Sequence, residues 1–313
     1  MLTIFSTPKP FHGHIGVIQR NALRSWTLLH PNVEVILFGD DDGAADVCRE
    51  LGLRHEVQVE RGGSGLKRID YMFGKAQAIA RHDVLCYINC DIVLMDDFIQ
   101  AVERVRTAYS QFLMVGRRWD TPITEPVEFS DANWREKIRA IALSTNDQRD
   151  GWWIDYFLFS RGLYGNEMPA FVIGTVRWDN WLLWKALDLK LPVVDASQVV
   201  LAVHQNHDYN YHPQGKKGVW EGEDSKRNLQ LAGGWRHIRN ISHATRRLTV
   251  RGRICGTWLQ RTWFEVKRFV LNLPSKIWYS VLDASQAARH AIGLNHHGIT
   301  ELRSRFRARR SRD

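Results

Sequence analysis

Cysteine is scarce in this 313-residue chain, and the four present, Cys48, Cys86, Cys90 and Cys255, show no metal-ligand spacing. Cys86 and Cys90 share one apolar run, where a strand would hold their Cα atoms about 13 Å apart and exclude a bridge without distortion. Reduced thiols and a cytoplasmic location are expected. No run of about 18 apolar residues occurs, which argues against a spanning helix. The first residues, Leu2-Thr3-Ile4-Phe5, open straight into a strand, so no secretory leader is expected. Also missing are a Gly-x-Gly-x-x-Gly turn after the first strand and a Gly-x-x-x-x-Gly-Lys-Ser/Thr loop, which disfavours dinucleotide and P-loop enzymes.

Positive charge is lacking in the body and concentrated at the end. Residues 245–313 hold 15 Lys and Arg against 4 Asp and Glu, a net of +11, whereas residues 1–244 carry a net −2 of the total +9. Such asymmetry points to an anionic partner for the appendage, for which an anionic membrane surface is expected and nucleic acid is not. Within it, Ile254–Leu271 places Trp258, Trp263, Val266 and Phe269 along one helical side, with Arg261, Lys267 and Arg268 elsewhere. That composition suits peripheral binding at the inner membrane face; a helix packed on the body is the alternative. Residues 303–312 read as disordered. Tryptophan, in contrast, is abundant at 13 residues, most of them explained by core packing and some available to line a sugar site.

Apolar periodicity predicts alternating strands and helices. Leu2–Ser6 is a strand, Ile15–Leu29 a helix, Val33–Phe38 a strand, Ala44–Leu51 a helix, Glu56–Val59 a strand and Ile69–Ala80 a helix. The run Val84–Leu94 reads as a buried strand whose carboxyl end carries Asn89 and Asp91. Alternation of this kind implies an α/β fold with a mostly parallel sheet covered by helices. Ligands of open α/β sheets bind outside the carboxyl ends of the strands, where a carboxylate holds a divalent metal or a ribose. A cap for the following turn is the plainer role for Asp91.

Residues 1 to about 235 resemble a GT-A nucleotide-sugar glycosyltransferase, family 2-like, through Ser6-Thr7-Pro8-Lys9-Pro10, Phe38-Gly39-Asp40 and Tyr87-Ile88-Asn89-Cys90-Asp91. The last stands in the place of that family's Asp-x-Asp motif, with Asn at its first position. The resemblance implies a GT-A catalytic domain over 1–244, with a donor half to about 120 and an acceptor half over about 121–244, followed by a basic helical tail over 245–313. It implies transfer of a hexosyl or related sugar from a nucleotide diphosphate, UDP-sugar favoured, to a hydroxyl of a glycan or lipid-linked acceptor in polysaccharide or glycoconjugate synthesis. Thr7, Lys9, Pro10, Asp40, Asn89 and Asp91 become donor-binding candidates. Asp91 becomes a ligand for Mn²⁺ or Mg²⁺, joined by His207 with His204 as the alternate. Asp179, at the start of a helix, matches the acidic position beside the acceptor, where a carboxylate takes the attacking hydroxyl's proton; capping its own helix is the alternative.

Two further groups come from residue type. Trp152 and Trp153 beside Asp155 suit stacking on a sugar face with hydrogen bonding to its hydroxyls, and Trp178 is added as an acceptor candidate; Asp155 is a second catalytic candidate. The stretch 215–228 reads as a mobile lid whose Lys216, Lys217 and Trp220 close on the donor diphosphate. The rival functions are a sugar nucleotidyltransferase and a non-catalytic carbohydrate- or nucleic-acid-binding protein.

Overall fold

The computed structural model describes residues 1–165, 167–208 and 214–257, all within one compact unit, Met1–Trp258. The first half follows the expected alternation: β1 (Leu2–Ser6), α1 (Gly13–Thr27), β2 (Val33–Phe38), α2 (Ala44–Leu51), β3 (Arg54–Glu56), α3 (Ile69–Ile79), β4 (Val84–Ile88). Then come β5 (Ile92–Val93), α4 (Asp96–Ala108), β6 (Leu113–Thr121), α5 (Trp134–Thr145), β7 (Ile154–Ser160) and α6 (Trp178–Asp188). The remaining elements are β8 (Val193–Asp195), β9 (Ala202–Gln205), α7 (Gly215–Glu221), α8 (Glu223–Leu231), β10 (Arg246–Leu248) and β11 (Ile254–Gly256).

The sheet runs β3-β2-β1-β4-β7-β6-β8-β10-β11. It is mostly parallel; β7 is antiparallel to both β4 and β6, and β11 is antiparallel to β10. Strand alternation sorts the apolar side chains onto two covered faces. Leu2, Ile4, Cys86, Ile88, Tyr156 and Leu158 pack on the α1, α2 and α4 side. Phe5, Ile36, Leu85, Tyr87, Phe157 and Phe159 pack on the α3 and α6 side, where Phe5, Phe73, Tyr87 and Phe159 meet edge-to-face or stacked. Gly116 in β6 is needed for fit: a Cβ there would overlap the Tyr156 hydroxyl.

Four expectations are corrected. The third strand lies at Arg54–Glu56, two residues earlier than its periodicity suggested, in register with Ile36–Phe38. The stretch 215–228 is helical, with Gly222 extended (φ −66°, ψ 174°) between α7 and α8, and with Glu223 and Asp224 in the first turn of α8 as its dipole favours. The sheet continues past the boundary expected at 244, because β10 pairs in parallel with β8. Residues 254–256 form a strand where the tail helix was expected to begin, and the rest of that helix, with Trp258, Trp263 and Phe269, lies outside the described residues. No helix of the described residues is long and apolar enough to cross a membrane. All four cysteines are free.

Candidate active site

One edge of the sheet collects the polar side chains. The carboxyl ends of β1, β4, β6 and β9 point the same way, and β7, being antiparallel, brings its first residues to that same edge. Asn89 and Asp91 therefore meet Asp155 from β7, Arg118 and Asp120 from β6, and His204 from β9.

After β1, the Thr7 hydroxyl donates to the Phe38 carbonyl at 2.7 Å and accepts from Lys67 Nζ at 2.8 Å. Buried Lys67 also donates to the Pro8 carbonyl at 2.9 Å and pairs with Asp41. Burial pulls its pKa down, against the opposing charge of Asp41. Gly39 makes room for this pair, since at its φ of 119° a Cβ would lie 2.9 Å from Lys67 Nζ. Asp40 points elsewhere; it is exposed and pairs with Arg61 at 2.6 Å, a hydrogen bond that lowers its pKa. Lys9 is fixed through its backbone, whose N–H and carbonyl are both engaged by the Gln19 amide at 2.7 and 2.8 Å. Its ammonium lies in the field of Asp91, while burial lowers its pKa. Pro10 is exposed.

Beyond β4, the Asn89 amide donates to Asp155 Oδ1 at 2.6 Å, and its backbone N–H donates to the Asp155 carbonyl at 2.9 Å. Asp155 is buried and paired with Arg118, 3.2 Å from Oδ2. Buried Arg118 in turn donates Nε to Asp120 at 2.8 Å. Burial opposes its charge, but Asp155 and Asp120 together raise its pKa above the usual guanidinium value. The same Asp120 Oδ1 lies 3.1 Å from His204 Nδ1.

Asp91 Oδ2 is 3.0 Å from His207 Nε2 and 3.9 Å from His204 Nε2. The three residues offer ligand atoms all within 4.8 Å of one another. Burial works against its charge, yet the hydrogen bond from His207 and the fields of His204 and Lys9 hold the carboxyl well below the usual carboxylate range. Its Oδ1 is sealed from solvent with no hydrogen-bond partner among the described residues. His207 Nδ1 lies 2.6 Å from the Asp208 carbonyl, which can only accept, so Nε2 faces Asp91 as a second donor when the ring holds two protons and as a lone pair when it holds one. Two lone-pair atoms at such a distance repel unless a proton or cation lies between them. An orphaned buried carboxylate oxygen with two imidazoles, His204 having a carboxylate behind it, fits a divalent ion such as Mn²⁺.

The aromatic candidates divide. Trp153 has the guanidiniums of Arg118 and Arg149 over its ring at 4.6 and 4.7 Å and meets Trp220 edge-on at 5.3 Å. Trp152 is 45% exposed. The Trp220 indole N–H is buried with no partner among the described residues. Trp178 does not face this platform: it is 5% exposed, packs on Tyr87 and Phe157, and donates its indole N–H to the Thr175 carbonyl. Helical periodicity turns it into the core, which corrects its acceptor assignment. Lys216 and Lys217 are exposed on α7.

Asp179 sits in the first turn of α6, where Oδ1 accepts the backbone N–H of Arg177 at 3.0 Å. Burial, with the charge of Asp155 added, pushes its pKa up to about 6. Arg177 holds a φ of 89° to present that N–H, a conformation uncommon outside glycine. Sequence reasoning missed Lys67, Asp41, Arg118, Asp120 and Arg177. Arg118 and Asp120 had a usable signal, opposite charges two residues apart and so on one face of a strand that opens apolar; the others had none.

No protein-family description matches the chain, and no curated protein does. Among solved structures, glucosyl-3-phosphoglycerate synthase from Mycobacterium tuberculosis, in complex with Mg²⁺ and UDP, is similar at 14% identity and a TM-score of 0.44, covering 75% of this chain and 80% of that one. The same enzyme with Mn²⁺, UDP and phosphoglyceric acid gives 14%, 0.43, 75% and 79%. S. aureus TarS, residues 1–349, gives 9% identity and a TM-score of 0.40, covering 66% of this chain and 58% of that one. These likenesses are weak, and the functional assignment rests on this chain's own residues.

Proposed function

We propose that this chain is a glycosyltransferase of the GT-A kind, moving a sugar from a nucleotide diphosphate, with UDP-sugars the first donors to test, to a hydroxyl acceptor. The observation that carries the reading is the ionised Asp91 with its unpartnered Oδ1 beside His207 and His204, at the strand edge where such sheets bind nucleotides. Asp91, His207 and His204 would hold the metal, which when bound neutralises charge on the donor diphosphate. Thr7, Lys67 and Asp41 form the nearby polar cluster at the ends of β1 and β2, suited to the nucleoside. Asn89 and Arg118 occupy the oxygens of Asp155, so Asp155 serves as a fixed charge, not as the base. Asp179 Oδ accepts the acceptor hydroxyl's proton, since a pKa of about 6 leaves it ionised near neutrality yet basic enough to share that proton. Trp152 offers an exposed stacking surface for the acceptor, beside Trp153, which is held by Arg118, Arg149 and Trp220.

Nucleotide release from a panel of nucleotide sugars with Mn²⁺, with the wild type and Asp91→Ala, tests the reading. Release that persists in the variant would sink the site assignment, and absence of any nucleotide binding in the wild type would sink the function. A sugar nucleotidyltransferase is not favoured, because Thr7–His12 after β1 contains no glycine to wrap a triphosphate. The basic tail would add contact with an anionic membrane surface, an expectation of its charge alone.

A further inference from the structure

Arg177 has a use that the proton-transfer role of Asp179 leaves open. Its backbone is committed to Asp179, but its guanidinium makes no hydrogen bond or ion pair among the described residues. Its Cζ lies over Trp235, 4.5 Å from the ring centroid, and that residue is itself 60% exposed. An arginine elsewhere at this edge meets carboxylates: Arg118 has two and Arg149 has Asp120 and Asp147. Arg177 is half-buried without one, and burial lowers its pKa although Asp179 supports its charge. Desolvating a guanidinium that no carboxylate contacts is unfavourable, and a place over an indole holds its fork while leaving its donors free.

Resting on the glycosyltransferase reading, we propose that Arg177 on its Trp235 platform is the anion-recognising residue of the acceptor subsite, and that the acceptor carries a phosphate or carboxylate close to the hydroxyl that attacks. The fork pairs two donors with two oxygens of such a group, which sets the hydroxyl against Asp179. Selectivity follows from the same geometry, because a neutral acceptor leaves the guanidinium desolvated and unpaired.

The test uses the full chain with UDP-sugars and Mn²⁺, and acceptors in matched pairs: glycerol against glycerol 3-phosphate, glucose against glucose 6-phosphate and glucuronate, with phosphatidylglycerol vesicles as the lipid-headgroup arm. The wild type is expected to prefer anionic members by about tenfold or more in kcat/KM, through KM. Arg177→Gln is expected to lose that preference, with Arg177→Lys keeping part of it. Preference for the vesicles over both soluble anions would place the anion on a lipid and still support the proposal; equal use of neutral and anionic members, or a preference that survives in Arg177→Gln, would overturn it. A second readout does not need turnover. With the donor site filled by UDP and Mn²⁺, glycerol 3-phosphate should raise the wild-type Tm and not that of Arg177→Gln. No wild-type shift, or equal shifts, would overturn the proposal, whereas failure of UDP and Mn²⁺ to bind at all would instead refute the function on which it rests.

Discussion

Asparagine in place of Asp179 should make the chain more stable and much less active. The carboxyl's pKa rises from an ordinary 3.8 to about 6 because burial disfavours its charge. Between those two pH values the folded chain still holds a proton that the unfolded chain has released, so stability falls as pH rises through the window and stays reduced above it. About two pH units at about 1.4 kcal/mol each set an upper bound near ~3 kcal/mol. The residue is only half-buried, and solvent screening reduces this to about 1 to 2 kcal/mol. Asparagine keeps an Oδ1 to accept the Arg177 N–H and removes the charge, so the relief should appear almost whole. Thermal unfolding of ligand-free wild type and Asp179→Asn from pH 4 to 8 reads it directly: no difference at the acid end, and a Tm higher by a few degrees in the variant at pH 8. Turnover should fall by a factor of about 10² while donor affinity holds. A variant that is no more stable than wild type at pH 8, or equally favoured at pH 4, would refute the charged, desolvated state from which the assignment of the base follows.

Asp91→Ala should abolish the Mn²⁺-dependent part of the Tm rise produced by UDP; identical shifts in variant and wild type would contradict the metal set. Arg118→Leu strips the cation from buried Asp155 and leaves Asp120 with Arg149 alone, and should cost about 3–5 kcal/mol in urea unfolding, a loss absent if the pairs are ornamental. Gly116→Ala should destabilise by about 1–3 kcal/mol and be partly rescued by Tyr156→Phe, which removes the atom a Cβ meets; without rescue the proposed clash is wrong. A chain ending at 244 should melt below one ending at 257, because it loses β10 from the edge of β8; the full chain should sediment with anionic vesicles in a salt-sensitive way and the chain ending at 257 should not.

Strands β1, β2 and β4 were legible because a strand buried on both faces must be apolar almost throughout, and the polar residue that ends it then stands out. Asn89 and Asp91 were visible for that reason, and Asp179 was visible as a carboxylate opening a helix. His204 and His207 were legible only by likeness to a family; their convergence on Asp91 depends on β9 pairing with both β5 and the end of β6, a long-range register no local pattern encodes. Trp178 was misread because an aromatic beside a carboxylate looks the same in sequence whether it faces solvent or core. Helix spacing decides it: Trp178, Trp181, Leu182 and Ala186 share the buried side of α6. The boundary at 244 followed the onset of positive charge, but Arg246 and Arg247 belong to a strand whose pairing satisfies backbone groups regardless of side-chain charge, with Arg247 3.4 Å from Asp195.

The asparagine at the first motif position, where the resembling family has aspartate, has a physical reason in this fold. Because β7 runs antiparallel beside β4, Asn89 faces the Asp155 carboxylate at 2.6 Å. Two carboxylates at that separation cannot both ionise, and one would be forced to hold a proton. An amide meets the same oxygen as a donor, which leaves the Asp155 carboxylate to pair with Arg118. Arg118 then fixes Asp120, and Asp120 faces the Nδ1 of His204, whose Nε2 points toward Asp91. The change from acid to amide at residue 89 thus keeps a buried chain of alternating charge intact as far as the proposed metal ligands, and it leaves Asp91 as the motif's own charged ligand.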